Sequence, residues 1–446
     1  MSLPGQGGAE GGFSAPAALS RDPRVQLLGL LRRFGTLTRG DMAELLGVST
    51  AMTGEWLAEL AAARLVEDAG KAESRGGRPP QRVTLAGGAA HAVGLDLSGW
   101  PVRGVVRDLV GRVCYETVLD QADVGGPGPD RGAAGGAFPA PPPTSVGDIA
   151  RLVERVIERS GLPRAEVRAA GVALAGFVDT RQGTHRPEAV PGAPSIPLAA
   201  GVAGRLGVPV LIEDMARAAA LAEARDGAAA GIDDLLFLSL GDRIGAALIL
   251  DGNLYRGATG IVGELGHIVV REGGPRCHCG NVGCVQALAT RPAILRQVEE
   301  ALGAGVVSVM GPAGGYPIEV EAVVDAAARG DRLAASVLRQ AGHDVGRALA
   351  AGANLLGPTM VVLGGYAPGL GEVFVEEVHR VLEAFVVPPI WERMRVGVGV
   401  LGIHAAALGA AWGALDLLVE TGALVPAHGH RRRRPAATPL STESAP

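Results

Sequence analysis

A single lysine, Lys71, stands among the 41 basic residues of this 446-residue chain. Positive charge is therefore almost wholly arginine, and with the abundance of Ala and Gly this looks like GC-rich coding, so arginine counts alone say little about partners. The formal net charge of −5 excludes a surface that is basic throughout and leaves room only for a local basic module. The first twenty residues lack a basic start followed by an apolar run, so no secretory signal is read there, and residues 1–22 read as a disordered leader. No uninterrupted apolar run has the length of a membrane span. The most apolar late stretch, Leu401 to Leu415, is rich in Gly and Ala, carries His404 and is closed by Asp416, which predicts a buried helix. No short-period internal repeat is present. A cytoplasmic protein without a membrane partner is expected, its four cysteines reduced.

Apolar residues at 48% are ample for two or three folding units. From Asp22 to about Leu85 the pattern predicts three helices and a hairpin. Val25, Leu27, Leu28, Leu30 and Leu31 give the first helix an apolar face. Thr38-Arg-Gly-Asp41 opens a second through Met42, Leu45 and Leu46. Gly47-Val48-Ser49 makes the turn, with Ser49 as N-cap of a third helix carrying Trp56, Leu57 and Leu60. Arg64 to Glu67 begins a strand, and Ala69 to Arg82 forms a wing around Arg75-Gly-Gly-Arg-Pro-Pro80.

Beyond this module, strand-like runs at Ala92 to Leu97, Val102 to Leu109, Val167 to Leu174, Leu235 to Leu240 and Met360 to Leu363 alternate with helical segments, giving an α/β fold. Two stretches cannot bury enough apolar surface to order themselves: Gln121 to Val146, read as a surface insertion, and residues 427–446, read as a tail holding Arg431 to Arg434.

Three of the four cysteines fall within eight residues, Cys277, Cys279 and Cys284, a grouping that suggests metal rather than disulfides. With His267 they make one imidazole and three thiolates, a closed tetrahedral set of the kind structural zinc prefers. The alternative is a reduced, metal-free loop. His278 is a weaker candidate and is expected to face solvent.

Gly263-Glu-Leu-Gly-His267 followed by Cys277-His-Cys-Gly-Asn-Val-Gly-Cys284 resembles the signature of the ROK family (repressors, open reading frames and kinases), G-E-x-G-H then C-x-C-G-x-x-G-C. Val210 to Glu223 resembles the family's catalytic stretch, V-x-V-E-N-D-A-N-A-A-A-L-A-E, and aligning the two sets Asp214 on an Asn, Met215 on the general base and Arg217 on the second Asn. The Gly-Arg-Pro wing is likewise similar to that of ROK repressors. The resemblance implies an N-terminal winged helix-turn-helix (23–85) followed by a two-lobed, actin-like, ribonuclease H-like sugar-kinase fold (91–425).

A thioether at position 215 cannot accept a sugar hydroxyl's proton. On the nucleotide side D-I-G-G-T-K has become Asp96-Leu-Ser-Gly-Trp-Pro101, and G-T-G-I-G has become Gly241-Asp-Arg-Ile-Gly245, placing Asp242 against phosphate oxygens. ATP is not expected to bind. In the family's sugar site, Asp214, Glu264 and His267 remain and a Glu has become Gln286. These four are the candidate effector residues; the alternative is that Asp214 and Glu264 only stabilise loops.

For DNA, the third helix reads Ser49-Thr-Ala-Met-Thr-Gly-Glu55. Thr50, Ala51, Thr53, Gly54 and Glu55 are the candidate base-reading positions, and Arg75 and Arg78 of the wing the candidate minor-groove or backbone contacts. The expected protein is a transcriptional regulator, repressing in the first instance, that holds structural Zn(2+), reads a pseudo-palindromic double-stranded operator as a homodimer or homotetramer, and senses a sugar or sugar derivative in a retired kinase site. Two alternatives stay open, a sugar kinase with a displaced base, Asp214, and a noncatalytic scaffold.

Overall fold

The computed structural model describes residues 21–72, 79–124, 145–187, 194–311 and 318–425. These fall into two compact units, residues 21–85 with 419–425, and residues 86–418.

In the smaller unit Asp22 accepts from the Arg24 backbone N–H and starts α1 (Pro23–Phe34), with proline in its first turn. Val25, Leu27, Leu28 and Leu31 are buried, and Leu30 is half-buried. Helix α2 (Arg39–Leu46) opens on a reciprocal cap between Thr38 and Asp41 and closes at Gly47, whose φ of 66° is left-handed. Ser49 Oγ accepts from Met52 N at 3.3 Å to start α3 (Thr50–Ala62). Strands β1 (Leu37–Thr38), β2 (Val66–Lys71) and β3 (Gln81–Leu85) pair antiparallel in the order β1-β3-β2. This is the element pattern of a winged helix-turn-helix. Of the apolar residues of α2, Met42 is buried and Leu45 is 51% exposed.

The larger unit contains two five-stranded sheets of the same topology. In the first, β4 (His91–Asp96), β5 (Val102–Asp108) and β6 (Val113–Leu119) form an antiparallel meander, and β7 (Val167–Leu174) and β10 (Val210–Asp214) add parallel on the other side of β4. In the second, β11 (Leu235–Leu240), β12 (Ile244–Leu250) and β13 (Asn253–Leu254) form the meander, and β14 (Met360–Gly365) and β15 (Arg395–Val398) add parallel to β11. Between β7 and β10 lies the hairpin of β8 (Phe177–Asp179) and β9 (Thr184–Arg186). The first members of the two meanders, β4 and β11, are buried along their whole length, as sheets covered on both faces require.

Helices α4 (Val146–Ser160) and α5 (Leu198–Leu206) accompany the first sheet, α6 (Met215–Asp226) lies between the sheets and packs on β11 and β12 as well as on β7 and β10, and α7 (Val285–Ala289), α8 (Arg291–Gly303), α9 (Val320–Ala328), α10 (Arg332–Leu356), α11 (Gly371–Phe385) and α12 (Pro388–Trp391) accompany the second. The last helix, α13 (Ala405–Glu420), belongs to a segment, Gly402–Glu420, that is long and apolar enough to cross a membrane by length and composition, but it is mostly buried, as its Gly and Ala content foretold. A Cβ at Gly94 would lie 2.2 Å from Ala407 O, one at Gly171 1.9 Å from Ala410 O, and one at Gly409 1.7 Å from Ala218 O. Only glycine lets α13 lie so close to β4, β7 and α6.

The ends of the expected insertion are ordered. Gln121–Val124 forms a helical turn whose Asp123 pairs with Arg155 and Arg159, and Ser145 caps α4 at Val146. Charge pairing supplies what the apolar content lacked. Residues 125–144 lie outside the described residues, as do most of the leader, read at 1–22, and all of the tail, read at 427–446.

Candidate functional site

The four expected metal ligands converge. Their donor atoms, one each from His267, Cys277, Cys279 and Cys284, lie within 4.8 Å of one another. Cys277 Sγ is 3.6 Å from His267 Nδ1, and Cys279 Sγ is 3.8 Å from Cys284 Sγ. The knuckle folds back through Cys277 N–H to Asn281 O at 2.8 Å. Gly283 has a φ of 81° and would put a Cβ 1.7 Å from Arg271 O, so no other residue fits there. Burial, then contacts with the neighbouring thiols, push the Cys284 thiol up to about 12. A thiolate at Cys284 is therefore costly without a cation beside it, and a divalent ion would supply one. The donor set can hold a metal.

All four candidate effector residues line one cleft. Strand β10 delivers Asp214 and α6 begins with Met215. The β11–β12 turn brings Arg243, the loop after β13 brings Glu264 and His267, and α7 brings Gln286. Asp214 caps α6, its Oδ1 accepting from Ala216 N at 3.0 Å and Arg217 N at 3.1 Å. Desolvation raises its pKa to about 6 against the opposing pull of Arg217 and these N–H groups. His267 faces both centres, with Nδ1 toward Cys277 and Nε2 3.7 Å from Glu264 Oε2. Gln286 is buried and braces its neighbours. Its Oε1 accepts from Ile244 N at 3.1 Å and its Nε2 meets His278 at 3.2 Å. His278, exposed as expected, also packs its ring edge-on against His267.

A buried ion network beside the cleft was not foreseen. Arg217 Nε meets Glu213 Oε1 at 2.6 Å, while its Nη1 donates to Gly260 O at 3.0 Å and its Nη2 to Val178 O at 2.9 Å. Thr180 Oγ1 donates to Glu213 Oε1 at 2.8 Å, and Arg256 Nε reaches Glu213 Oε2 at 2.9 Å. Burial alone would raise Glu213's pKa; the two guanidinium groups more than offset it and hold the carboxyl below the usual range. The available signal was Arg217 four residues after Glu213.

In the segments read against the family's nucleotide loops, Asp96 is buried, and its Oδ1 accepts from Ser98 N at 2.9 Å. Asp242 Oδ1 lies 3.6 Å from Arg291 Nε, and the Arg291 guanidinium stacks 4.9 Å from the Tyr366 ring, next to Gly364-Gly365.

In α3, Thr50, Ala51 and Glu55 are exposed and Gly54 is half-buried under the Arg39 guanidinium. Thr53 is a correction. It is fully buried, with Oγ1 donating to Ser49 O at 3.2 Å, and cannot reach a base edge. Met52, not singled out from the sequence, is 47% exposed on the same turn. Trp56 is half-buried. Arg75 and Arg78 lie outside the described residues.

A family model, ROK family, matches residues 136–416. The chain belongs to the ROK family. This ROK protein is 24% identical over 374 residues to the xylose repressor of Caldicellulosiruptor bescii, covering 84% of this chain and 90% of that one. It is 27% identical over 344 residues to the DNA-binding transcriptional repressor Mlc of Escherichia coli, covering 75% and 78% respectively. It is 32% identical over 266 residues to the glucokinase of Thermotoga maritima, covering 59% and 83%. Among solved structures, a ROK family transcriptional regulator homologous to E. coli Mlc shares the fold with a TM-score of 0.73 at 24% identity, covering 90% of this chain and 96% of that one. The ROK hexokinase of Thermus thermophilus superposes with a TM-score of 0.58 at 30% identity, covering 74% of this chain and all of that one. The larger unit thus has the two-lobed, actin-like sugar-kinase fold.

Proposed function

We propose that this ROK protein is a noncatalytic, DNA-binding transcriptional regulator, a repressor, that senses a sugar or sugar derivative. Met215 carries the reading: it lines the cleft where phosphoryl transfer needs a proton acceptor, and its thioether cannot be one. Residues 23–85 form the DNA-binding domain and residues 91–425 the sensor. Thr50, Ala51, Gly54 and Glu55 of α3 face the operator, with Arg75 and Arg78 as wing contacts. Asp214, Glu264, His267 and Gln286 surround the effector. Zn(2+) on His267, Cys277, Cys279 and Cys284 is structural: four protein ligands leave no open position for a reacting water, and the knuckle fixes the loop that bears Glu264. The protein works in the cytoplasm as a homodimer or homotetramer on a pseudo-palindromic site, without ATP. Ligand and operator are linked by a coupling free energy, each altering the affinity for the other. The relatives named as repressors, matched over most of their length, support this.

Selection of the full-length protein against randomised duplex DNA tests the reading. An enriched symmetric motif is expected; no enrichment overturns it. One observation favours a second reading, a kinase using Asp214, whose pKa of about 6 suits a general base. A coupled ADP-release assay across hexoses and N-acetylhexosamines separates the two, since turnover abolished by Asp214→Asn would establish the kinase.

A further inference from the structure

Gly54 stands in the second turn of α3. Glycine inside a helix is destabilising relative to alanine, and no left-handed backbone at this position calls for it. What the missing side chain makes room for is Arg39. A Cβ at Gly54 would lie 3.2 Å from Arg39 Nη1 and 3.4 Å from Arg39 Cδ, and all three of its nearest atoms belong to that arginine. The Arg39 side chain therefore lies across the bare backbone of α3.

Arg39 is fixed at its root and unpaired at its tip. It is the first residue of α2, whose start is locked by the reciprocal cap between Thr38 and Asp41. That cap engages the Asp41 carboxylate, whose Oδ2 accepts from Thr38 N at 2.8 Å. The guanidinium is exposed and has no hydrogen-bond or ion-pair partner among the described residues. Arg24, by contrast, is held by Asp22 and Glu59.

The place of this cation on α3 decides what it can meet. Thr53, Leu57 and Leu60 mark the buried side of the helix, and the exposed Ala51, Glu55 and Ala58 the opposite side. At helical spacing Gly54 falls between the two, on the flank that α2 supplies with Arg39. When the second helix of such a motif lies in the major groove, the first crosses the DNA backbone, so a cation on this flank meets phosphate while the side of Ala51 and Glu55 meets base edges. The module has little positive charge to spare. Between Arg21 and Leu85 ten basic residues stand against eight acidic ones, and the exposed Glu55 carries negative charge toward the groove.

We propose that Arg39 is a DNA-binding residue, its guanidinium gripping a backbone phosphate at the edge of the groove that α3 enters, and that Gly54 is the positioning residue that lets it lie there. This rests on the reading of residues 23–85 as the DNA-binding domain and adds a contact to it. A guanidinium suits the role because its parallel N–H groups match a phosphate's oxygens.

The test is fluorescence anisotropy of the full-length protein on two duplexes, the motif recovered by selection and a mixed-sequence control, each across a range of salt. Arg39→Gln is expected to weaken both by the same factor, about three- to tenfold, and to lower the salt slope by about one per bound module. Gly54→Ala is expected to raise the melting temperature, because helix propensity improves and the exposed tip of Arg39 can swing aside, yet to weaken both duplexes. That weakening should vanish where Arg39→Gln is already present. A loss confined to the selected motif would make Arg39 a base reader and overturn the phosphate assignment. Unchanged binding by Arg39→Gln would overturn the proposal and leave the DNA-binding reading of the module standing. Equal weakening by Gly54→Ala in both backgrounds would overturn the positioning role. A parent protein that binds neither duplex would overturn the proposal and the regulator reading together.

Discussion

Arg217 Nε lies 2.6 Å from Glu213 Oε1, with each side chain only 2% exposed. The guanidinium also holds the backbone carbonyls of Val178 and Gly260, so one side chain ties the β8 hairpin and the loop leading to Glu264 to the base of α6. A buried pair of this kind contributes through its completeness, since removing one partner strands the other charge.

Arg217→Met should therefore destabilise the larger unit by about 3–5 kcal/mol, and the Glu213→Gln, Arg217→Met double variant by distinctly less than the sum of the single changes. Denaturant unfolding of the four proteins in the cycle checks this. Additive losses would mean that the pair is not coupled.

Asp214 gives a pH signature. Its folded pKa of about 6 lies above the unfolded value of 3.8, so its contribution is fully present below 3.8 and is lost as pH rises through about 6. Asn at this position still caps α6 but does not ionise. Asp214→Asn should thus gain stability relative to the parent between pH 4 and 7, by roughly 1–2 kcal/mol after solvent screening. A flat difference across thermal melts in that range would contradict the shift.

The knuckle should retain about one equivalent of zinc after dialysis, and its removal should lower the melting temperature markedly, because metal binding is folding energy at such a site. Elemental analysis with melting curves of the parent and Cys284→Ser measures both. A metal-free parent with an unchanged melt would refute a structural ion.

Thr50 and Thr53 should behave differently. Thr50→Ala should weaken binding to a selected operator by about 1–3 kcal/mol while leaving the melt unchanged. Thr53→Val should act through the fold, costing on the order of 1 kcal/mol for the lost bond to Ser49 O. Mobility shifts and melts on both variants distinguish contact from support.

Met215→Asp alone should not create a sugar kinase. Asp242 still opposes phosphate, and Trp100-Pro101 still stands where the first phosphate loop needs a hydroxyl and a lysine. ADP release above background from this single variant would show the nucleotide side to be intact.

What could be read beforehand was local. The Thr38–Asp41 cap, the Ser49 cap and the knuckle depend on residues a few positions apart, and each lies where its spacing placed it. Thr53 was misassigned although its pattern was available: Thr53, Leu57 and Leu60 fall at helical spacing on one face, and all three are buried. The role of Arg217 was hidden because its carbonyl partners are 39 and 43 residues away. Gln286 lines the cleft, and its bracing of Ile244 and His278 was hidden because those partners are 42 and 8 residues distant.

The glycines along the seam of α13 bear on how this chain can drift. Nucleotide bias toward GC-rich codons and the clearance between a helix and its supporting sheet favour the same small residues at Gly94, Gly171 and Gly409. Mutational pressure and steric selection run parallel there. Relatives from AT-rich genomes should therefore shed glycine and alanine from loops and solvent-facing positions well before they lose them from this seam.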